Sequence, residues 1–261
     1  MVHIDSSDVA ISYRMIQPTG KRGRGRPRKN QASESATASP PPPQLKSDSG
    51  LFVFDIETGP ADIETLNALF DPASVKCGNL KDPAKIAEKV AAARESFVER
   101  AALDPITGRV LAIGTQSDGG YAMVILGDDY EFSILSAFWS LVEESLANRH
   151  PIIGWNIHDF DLPFLINRSR ILNVAVPSGL RHGRYWNDLI IDLMKVWTLD
   201  RYGEYAKLND VGRALGLGGK LNGVDPAQFH ILWRDDRPKA IEYLTRDVEL
   251  TAAIAERLTI V

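Results

Sequence analysis

Acidic residues stand in this chain at spacings that give them a shared direction. In "VFDIETG" Asp55 and Glu57 are two apart in an apolar run. On a strand that spacing points both side chains to one face. In "IEYLTRDVEL" Tyr243 and Asp247 are four apart, which on a helix also gives a common face. Between them "GWNIHDFDLPFL" carries Asp159 and Asp161 in an otherwise apolar segment. Asp is a preferred helix N-cap, so these two read either as polar residues at a strand-to-helix junction or as part of a site. Carboxylates brought together from such separate segments would form an all-oxygen cage, the kind that hard divalent cations require.

The elements that must carry these acids follow from periodicity and turn signals. "LFVFDIET" is predicted as a strand in an apolar run, and "RVLAIGTQ" and "YAMVILG" as an antiparallel hairpin across the turn signal "SDGG". Helical spacing runs from Phe132 to Leu146, "PIIGWN" reads as a buried strand, and "DLPFLINRSRIL" resumes helical spacing. "LIIDLMKVW" follows, then a helix from about Asn209 to Leu215 ending at Gly216. A long C-terminal helix is marked by Asp235 and Asp236 as candidate caps, Pro238 in the first turn, and apolar Ile241, Leu244, Val248, Ala252 and Ile254. The sum is an α/β domain with a mixed sheet flanked by helices, placed at residues 51–261. A helical insertion over about residues 60–108 is too long for a plain connection. Its Lys81, Lys85, Lys89, Arg94 and Arg100 are interleaved with Glu88, Glu95 and Glu99, the pattern of a solvated helix face.

Composition narrows the class. With 261 residues, 44% of them hydrophobic, the chain is long enough for a substantial core. No apolar run is long enough to span a membrane, and the N-terminus lacks a signal-peptide core. A single cysteine, Cys77, precludes an intramolecular disulfide and a Cys-rich zinc site, so a cytoplasmic protein is expected. The net charge of -4 divides into +4 over residues 1–50 and -8 over the rest. Residues 30–50 are rich in Ser, Ala and Pro and read as a linker, making residues 1–50 a disordered tail, although "VAISYRMI" within it has the look of a weak strand. A basic tail on an acidic body suggests that the tail attracts a polyanion.

Taken in order, "FDIET", "GWNIHDFDLPFL" and "YLTRD" resemble the three motifs of the DEDD superfamily of 3′-to-5′ exonucleases, most nearly the proofreading domains of family B DNA polymerases. The resemblance covers about Leu51 to Leu258 and implies a ribonuclease H-like fold. It implies that Asp55, Glu57, Asp161 and Asp247 hold two divalent ions, Mg²⁺ or Mn²⁺: Asp55 bridging, Glu57 and Asp247 completing the first site, and Asp161 serving the second. The family's second motif falls on Asn156, Phe160 and Asp161 and leaves Asp159 outside it. The resemblance then implies Asn156 and Phe160 near the substrate end, while Asn156 also reads as a structural residue that satisfies the strand's backbone. Glu242 stands where one branch of the superfamily has histidine, whereas Tyr243 matches the other, the tyrosine branch, in which it would orient the attacking water. The implied reaction is hydrolysis of phosphodiester bonds from single-stranded 3′ ends of DNA, with replication or repair proteins as candidate partners. An exoribonuclease and an inert DNA-tethering protein are the alternatives. Since the chain stops soon after the third motif, a free-standing nuclease without a polymerase domain is expected.

"RGRPRK" within residues 21–30 resembles an AT-hook, a segment that lies in the minor groove of A·T-rich duplex. Arg24 and Arg26 would meet the negative potential of a narrow groove, Gly25 would allow close approach, and Pro27 would keep the path extended. A polybasic arm of general affinity for polyanions has the same composition.

Overall fold

The computed structural model describes residues 50–117, 120–126, 130–181, 186–219, 228–258 and 260, together with the backbone of Ser12–Met15. The basic motif at Arg24, Gly25, Arg26 and Pro27 and the Ser/Pro-rich linker lie outside the described residues. Six strands form one sheet: β1 (Ser12–Met15), β2 (Phe52–Pro60), β3 (Gly108–Ser117), β4 (Met123–Leu126), β5 (Ile152–Gly154) and β6 (Ile190–Asp192), in the order β1-β4-β3-β2-β5-β6. The first four in that order pair antiparallel, and β2, β5 and β6 run parallel. The expected β3–β4 hairpin and the mixed sheet are both present.

Pairing of β1 with β4 moves the start of the fold. The boundary drawn at Leu51 from composition leaves β4 as a sheet edge with unpaired backbone groups, and four residues from far upstream cover it. Local composition holds no reason to look for a partner across the polar linker.

Strand parity sorts the core. In β2 the side chains of Phe52, Phe54 and Ile56 join one apolar cluster with Ile134, Phe138, Leu162 and Phe164, whereas Val53 joins the other with Leu244, Val248 and Ile254. The first cluster lies under α3 (Glu131–Ala147) and α4 (Asp161–Ile171), and the second under α8 (Arg237–Arg257). Because side chains alternate, Asp55 and Glu57 share Val53's face and point toward α8. α8 starts as its sequence indicates: the Asp236 side chain accepts from the Lys239 N–H, and Pro occupies the first turn.

The remaining elements frame this sandwich. The insertion contains α1 (Ile63–Leu69), α2 (Pro83–Glu99) and a 3₁₀ turn at Ala101–Leu103. No residue of α2 is fully buried; its half-buried edge includes Phe97, whose ring lies 5.4 Å from that of Phe70. Lys81, Lys85, Lys89 and Arg100 are exposed, as a solvated face requires. After β6 come α5 (Leu193–Thr198), α6 (Leu208–Ala214) and α7 (Phe229–Asp235). Glu131 and Arg168 form a two-pronged ion pair, with bonds of 2.8 and 2.6 Å, and Arg168 also donates to the Pro105 carbonyl at 2.9 Å. That bond fixes the return of the insertion onto α4.

Candidate active site

Asp55, Glu57 and Asp247 each present a carboxylate oxygen such that all three lie within 4.8 Å of one another. Two come from the outer half of β2 and the third from α8, and three local features bring them together. Gly114 faces Asp55 in the β2–β3 register, and a Cβ built on it would lie 2.7 Å from Val248 Cγ2 and 2.9 Å from Leu244 Cγ. The bare backbone there lets α8 press onto the sheet beside Asp55. On α8, Tyr243, Leu244, Asp247 and Val248 are all at most 1% exposed, a stripe facing inward at helical spacing. The β2–β3 ladder shifts register between Glu57 and Thr58, with Glu57 opposite Ala112 but Thr58 opposite Val110. Leu111 is thus an extra residue in β3, a bulge that bends the pair immediately after Glu57.

Asp161 opens α4 at the edge of this cluster. It is 3% exposed, and its Oδ1 accepts from the Ile56 N–H at 3.2 Å, which ties the start of α4 to the backbone between Asp55 and Glu57. Burial, and then the negative charge of Asp55, push its carboxyl well above the ordinary carboxylate range, partly offset by the Ile56 N–H. The bond to Ile56, whose chain neighbours are Asp55 and Glu57, sets Asp161 beside them. The donor set is oxygen alone, and like charges on the half-buried Asp55 and the buried Asp161 are what a bound cation would relieve, so the residues fit hard divalent ions.

The other expected residues divide. Tyr243 sits one turn before Asp247, 1% exposed, its ring 6.0 Å from that of Phe229. Asn156 is half-buried with a φ of 63°, a left-handed conformation that Asn tolerates better than most residues. Its carbonyl accepts from the Asp159 and Phe160 N–H groups in the turn leading to α4. Phe160 occupies the N-cap position of α4 and packs its ring 5.7 Å from Phe164. Asp159 does not cap the helix; it points outward, 61% exposed, and pairs with Lys195 Nζ at 3.1 Å.

Three contributors escape a reading of the acids alone. Gly114 is one. Gly154 is another: a Cβ there would lie 2.9 Å from the Phe54 carbonyl, so β5 runs close against β2 just before the loop to Asp161. The third is Asp192, 2% exposed, which accepts backbone hydrogen bonds from that loop. Its signal was an Asp between "II" and "LMK", a strand-to-helix cap.

Residues 97–254 match a family described as a predicted 3′-5′ exonuclease related to the exonuclease domain of PolB. An uncharacterized protein of Methanocaldococcus jannaschii is 30% identical over 164 residues, covering 59% of this chain and 88% of that protein. DNA polymerase 2 of Aeropyrum pernix is 26% identical over 199 residues, covering 68% of this chain but 24% of the polymerase. The structure of the family B DNA polymerase of Pyrobaculum calidifontis superposes with a TM-score of 0.55 at 20% identity, over 84% of this chain and 25% of the polymerase. The likeness is one of fold, the ribonuclease H-like α/β arrangement, and the chain spans about a quarter of each polymerase. No helix among the described residues is long and apolar enough to cross a membrane.

Proposed function

This chain belongs to the family of predicted 3′-5′ exonucleases related to the exonuclease domain of PolB, and from that premise we propose that it hydrolyses DNA from 3′ ends in a reaction that depends on two divalent cations, Mg²⁺ or Mn²⁺. The observation that carries the proposal is the convergence of Asp55, Glu57 and Asp247 within 4.8 Å, with Asp161 bonded to the Ile56 N–H between the first two.

Asp55, Glu57 and Asp247 would hold one ion, and Asp161 together with Asp55 the other. When bound, such ions supply Lewis acidity toward the phosphate and make water a stronger nucleophile at neutral pH. The chain's own contribution is positioning. The β2 strand sets Asp55 and Glu57 on one face, α8 brings Asp247 to them, and the Ile56 N–H holds Asp161 at the cluster's edge. Tyr243, with Glu242 beside it where a histidine would stand in the other branch, supports membership in the tyrosine branch of the superfamily. Its hydroxyl would orient the attacking water. Asn156 and Phe160, in the turn before Asp161, would meet the terminal nucleotide.

Arg24, Gly25, Arg26 and Pro27 belong to the same proposal as an AT-hook-like segment that delivers the domain to A·T-rich duplex. A cytoplasmic setting and service to replication or repair proteins complete it.

The deciding experiment digests 5′-labelled DNA and RNA oligonucleotides of one sequence with Mg²⁺ and with Mn²⁺. A ladder of shortened labelled DNA is expected. Preference for RNA would replace the substrate, and failure to cut either would leave a DNA-tethering protein.

A further inference from the structure

The loop from Gly154 to Phe160 delivers Asp161 to the candidate site, and it is anchored at its ends to β2. Gly154 lies against the Phe54 carbonyl, and Asp161 accepts from the Ile56 N–H at 3.2 Å. Between those anchors Asn156 adopts a φ of 63°, the left-handed turn that Asn tolerates and that contacts around it keep in place.

What holds it is the carboxylate of Asp192. The side chain is buried at the end of β6, where Asp192 pairs in register with Gly154. Oδ1 accepts from the Asn156 N–H at 2.9 Å and Oδ2 from the His158 N–H at 3.0 Å, while Oδ1 also caps α5 through Met194 N–H at 3.0 Å and Lys195 N–H at 3.4 Å. Four backbone donors thus converge on one carboxylate. No neutral side chain of that size offers acceptors on both prongs: the amide of Asn would aim its NH₂ at an N–H. Further contacts grip the same loop, with His158 Nε2 3.3 Å from the Ile190 carbonyl, the His158 ring stacked on Trp186, and the Trp155 indole donating to the Ala206 carbonyl.

We infer that Asp192 is a positioning residue for the nuclease reaction, a bracket from β6 that sets the backbone of Asn156 and His158 and through it the placement of Asp161. The inference rests on the exonuclease reading for its catalytic consequence and on hydrogen bonding alone for the bracket. Asp192 touches backbone amides, so its effect falls on geometry; a misplacement of about 1 Å is enough to cost roughly two orders of magnitude in rate.

Two substitutions separate this role from simple stabilisation. Asp192→Asn keeps the shape and loses one acceptor. Asp192→Ser retains a cap for α5 but is too short to span to the loop. Single-turnover cleavage of 5′-labelled single-stranded DNA with Mn²⁺ reports the fraction of working enzyme as amplitude and the geometry as rate constant. Both variants are expected to lower the rate constant roughly 10- to 100-fold, with the half-saturating DNA concentration nearly unchanged. Ser169→Ala, which removes the buried acceptor of the Trp139 indole, serves as a control that lowers the melting temperature but keeps the rate constant. Hydrogen exchange followed by mass spectrometry gives a readout free of activity. The amides of residues 154–161 should exchange faster in both variants, measured against those of α8, which report global opening. A rate constant near that of the unsubstituted protein, or unchanged loop protection, overturns the inference. Should the unsubstituted protein cleave nothing, the exonuclease reading falls on its own, and exchange alone decides whether Asp192 brackets the loop.

Discussion

Gly114 and Val248 meet where a Cβ on Gly114 would stand 2.7 Å from Val248 Cγ2. This close approach of strand and helix sets how near Asp247 comes to Asp55, because Asp55 faces Gly114 and Asp247 precedes Val248. Gly114→Ala should therefore act as an overpacking substitution, costing about 1–3 kcal/mol of stability, and should lower the cleavage rate by moving α8 away. Removing the obstructing methyls in Gly114→Ala/Val248→Ala should recover part of the rate. Thermal melts and initial rates check both; a Gly114→Ala protein with full rate would show that α8 has slack.

Asp159 and Asp161 are close in sequence and opposite in environment, and they should behave so. Asp161→Ala should abolish cleavage in a folded protein. Asp159→Ala breaks an exposed pair with Lys195, worth about 0–1 kcal/mol, and should leave the rate within about twofold of the original. Equal inactivity of the two variants, with intact circular dichroism, would overturn the assignment.

Much of this acidic cluster and its surroundings was legible in the sequence, for reasons that can be named. Alternation fixed the shared face of Asp55 and Glu57, and Val53 shows the same parity in the packed sheet. The Asp236 and Pro238 signals located the start of α8 because capping is decided within a few residues. Gly114 escaped because a missing side chain announces close approach only when the opposing surface is known, and α8 lies more than a hundred residues downstream. For Asp192 the cap of α5 was readable, but its bonds to Asn156 and His158 span 36 and 34 residues, and nothing local encodes them. The strand in "VAISYRMI" was readable, but its pairing with β4 spans more than a hundred residues and was not.

The strain between Asp55 and Asp161 predicts a pH-dependent stability in chelator. Asp161's carboxyl is raised above its ordinary value of 3.8 by burial and by Asp55. The folded state therefore holds a proton that the unfolded state releases, so stability should fall as pH rises from near 3.8 through the folded-state value. Asp161→Asn, which removes that charge, should melt higher than the original protein at neutral pH, by roughly 2–4 °C for each kcal/mol relieved in a domain of this size. A lower melting temperature for the variant would contradict the repulsion.

Adding Mn²⁺ or Mg²⁺ should reverse the same strain. At about a hundred times the dissociation constant, ligand binding adds about 2.7 kcal/mol, a rise of several degrees. Asp55→Asn should lose most of that rise, since Asp55 stands in both proposed ion sites. A thermal shift with metal that survives Asp55→Asn would place the ions elsewhere.

Tyr243→Phe removes one hydroxyl from a ring that otherwise packs against Phe229. Folding and the metal-induced thermal shift should persist, and the single-turnover rate should fall by about one to two orders of magnitude, as for a positioned acid–base group. An unchanged rate would make Tyr243 a core residue only and remove the argument for the tyrosine branch.

The basic tail is best tested by substitution, because deleting residues 1–50 would also take away β1 and with it the pairing that covers the β4 edge. Arg24→Ala/Arg26→Ala leaves that strand in place. If the two arginines enter a minor groove, the double variant should bind A·T-rich duplex more weakly while its rate on saturating single-stranded DNA stays unchanged, since delivery and chemistry are then carried by separate parts of the chain. Each phosphate that the variant no longer neutralises should flatten the dependence of log affinity on log salt by about 0.9. Groove recognition and general attraction differ in one respect: the first prefers A·T to G·C duplex at equal salt, and the preference should vanish in the variant. Steep salt dependence without preference would make the segment a polybasic arm. Duplex affinity and salt slope that do not respond to the substitution would leave the tail without a role on DNA.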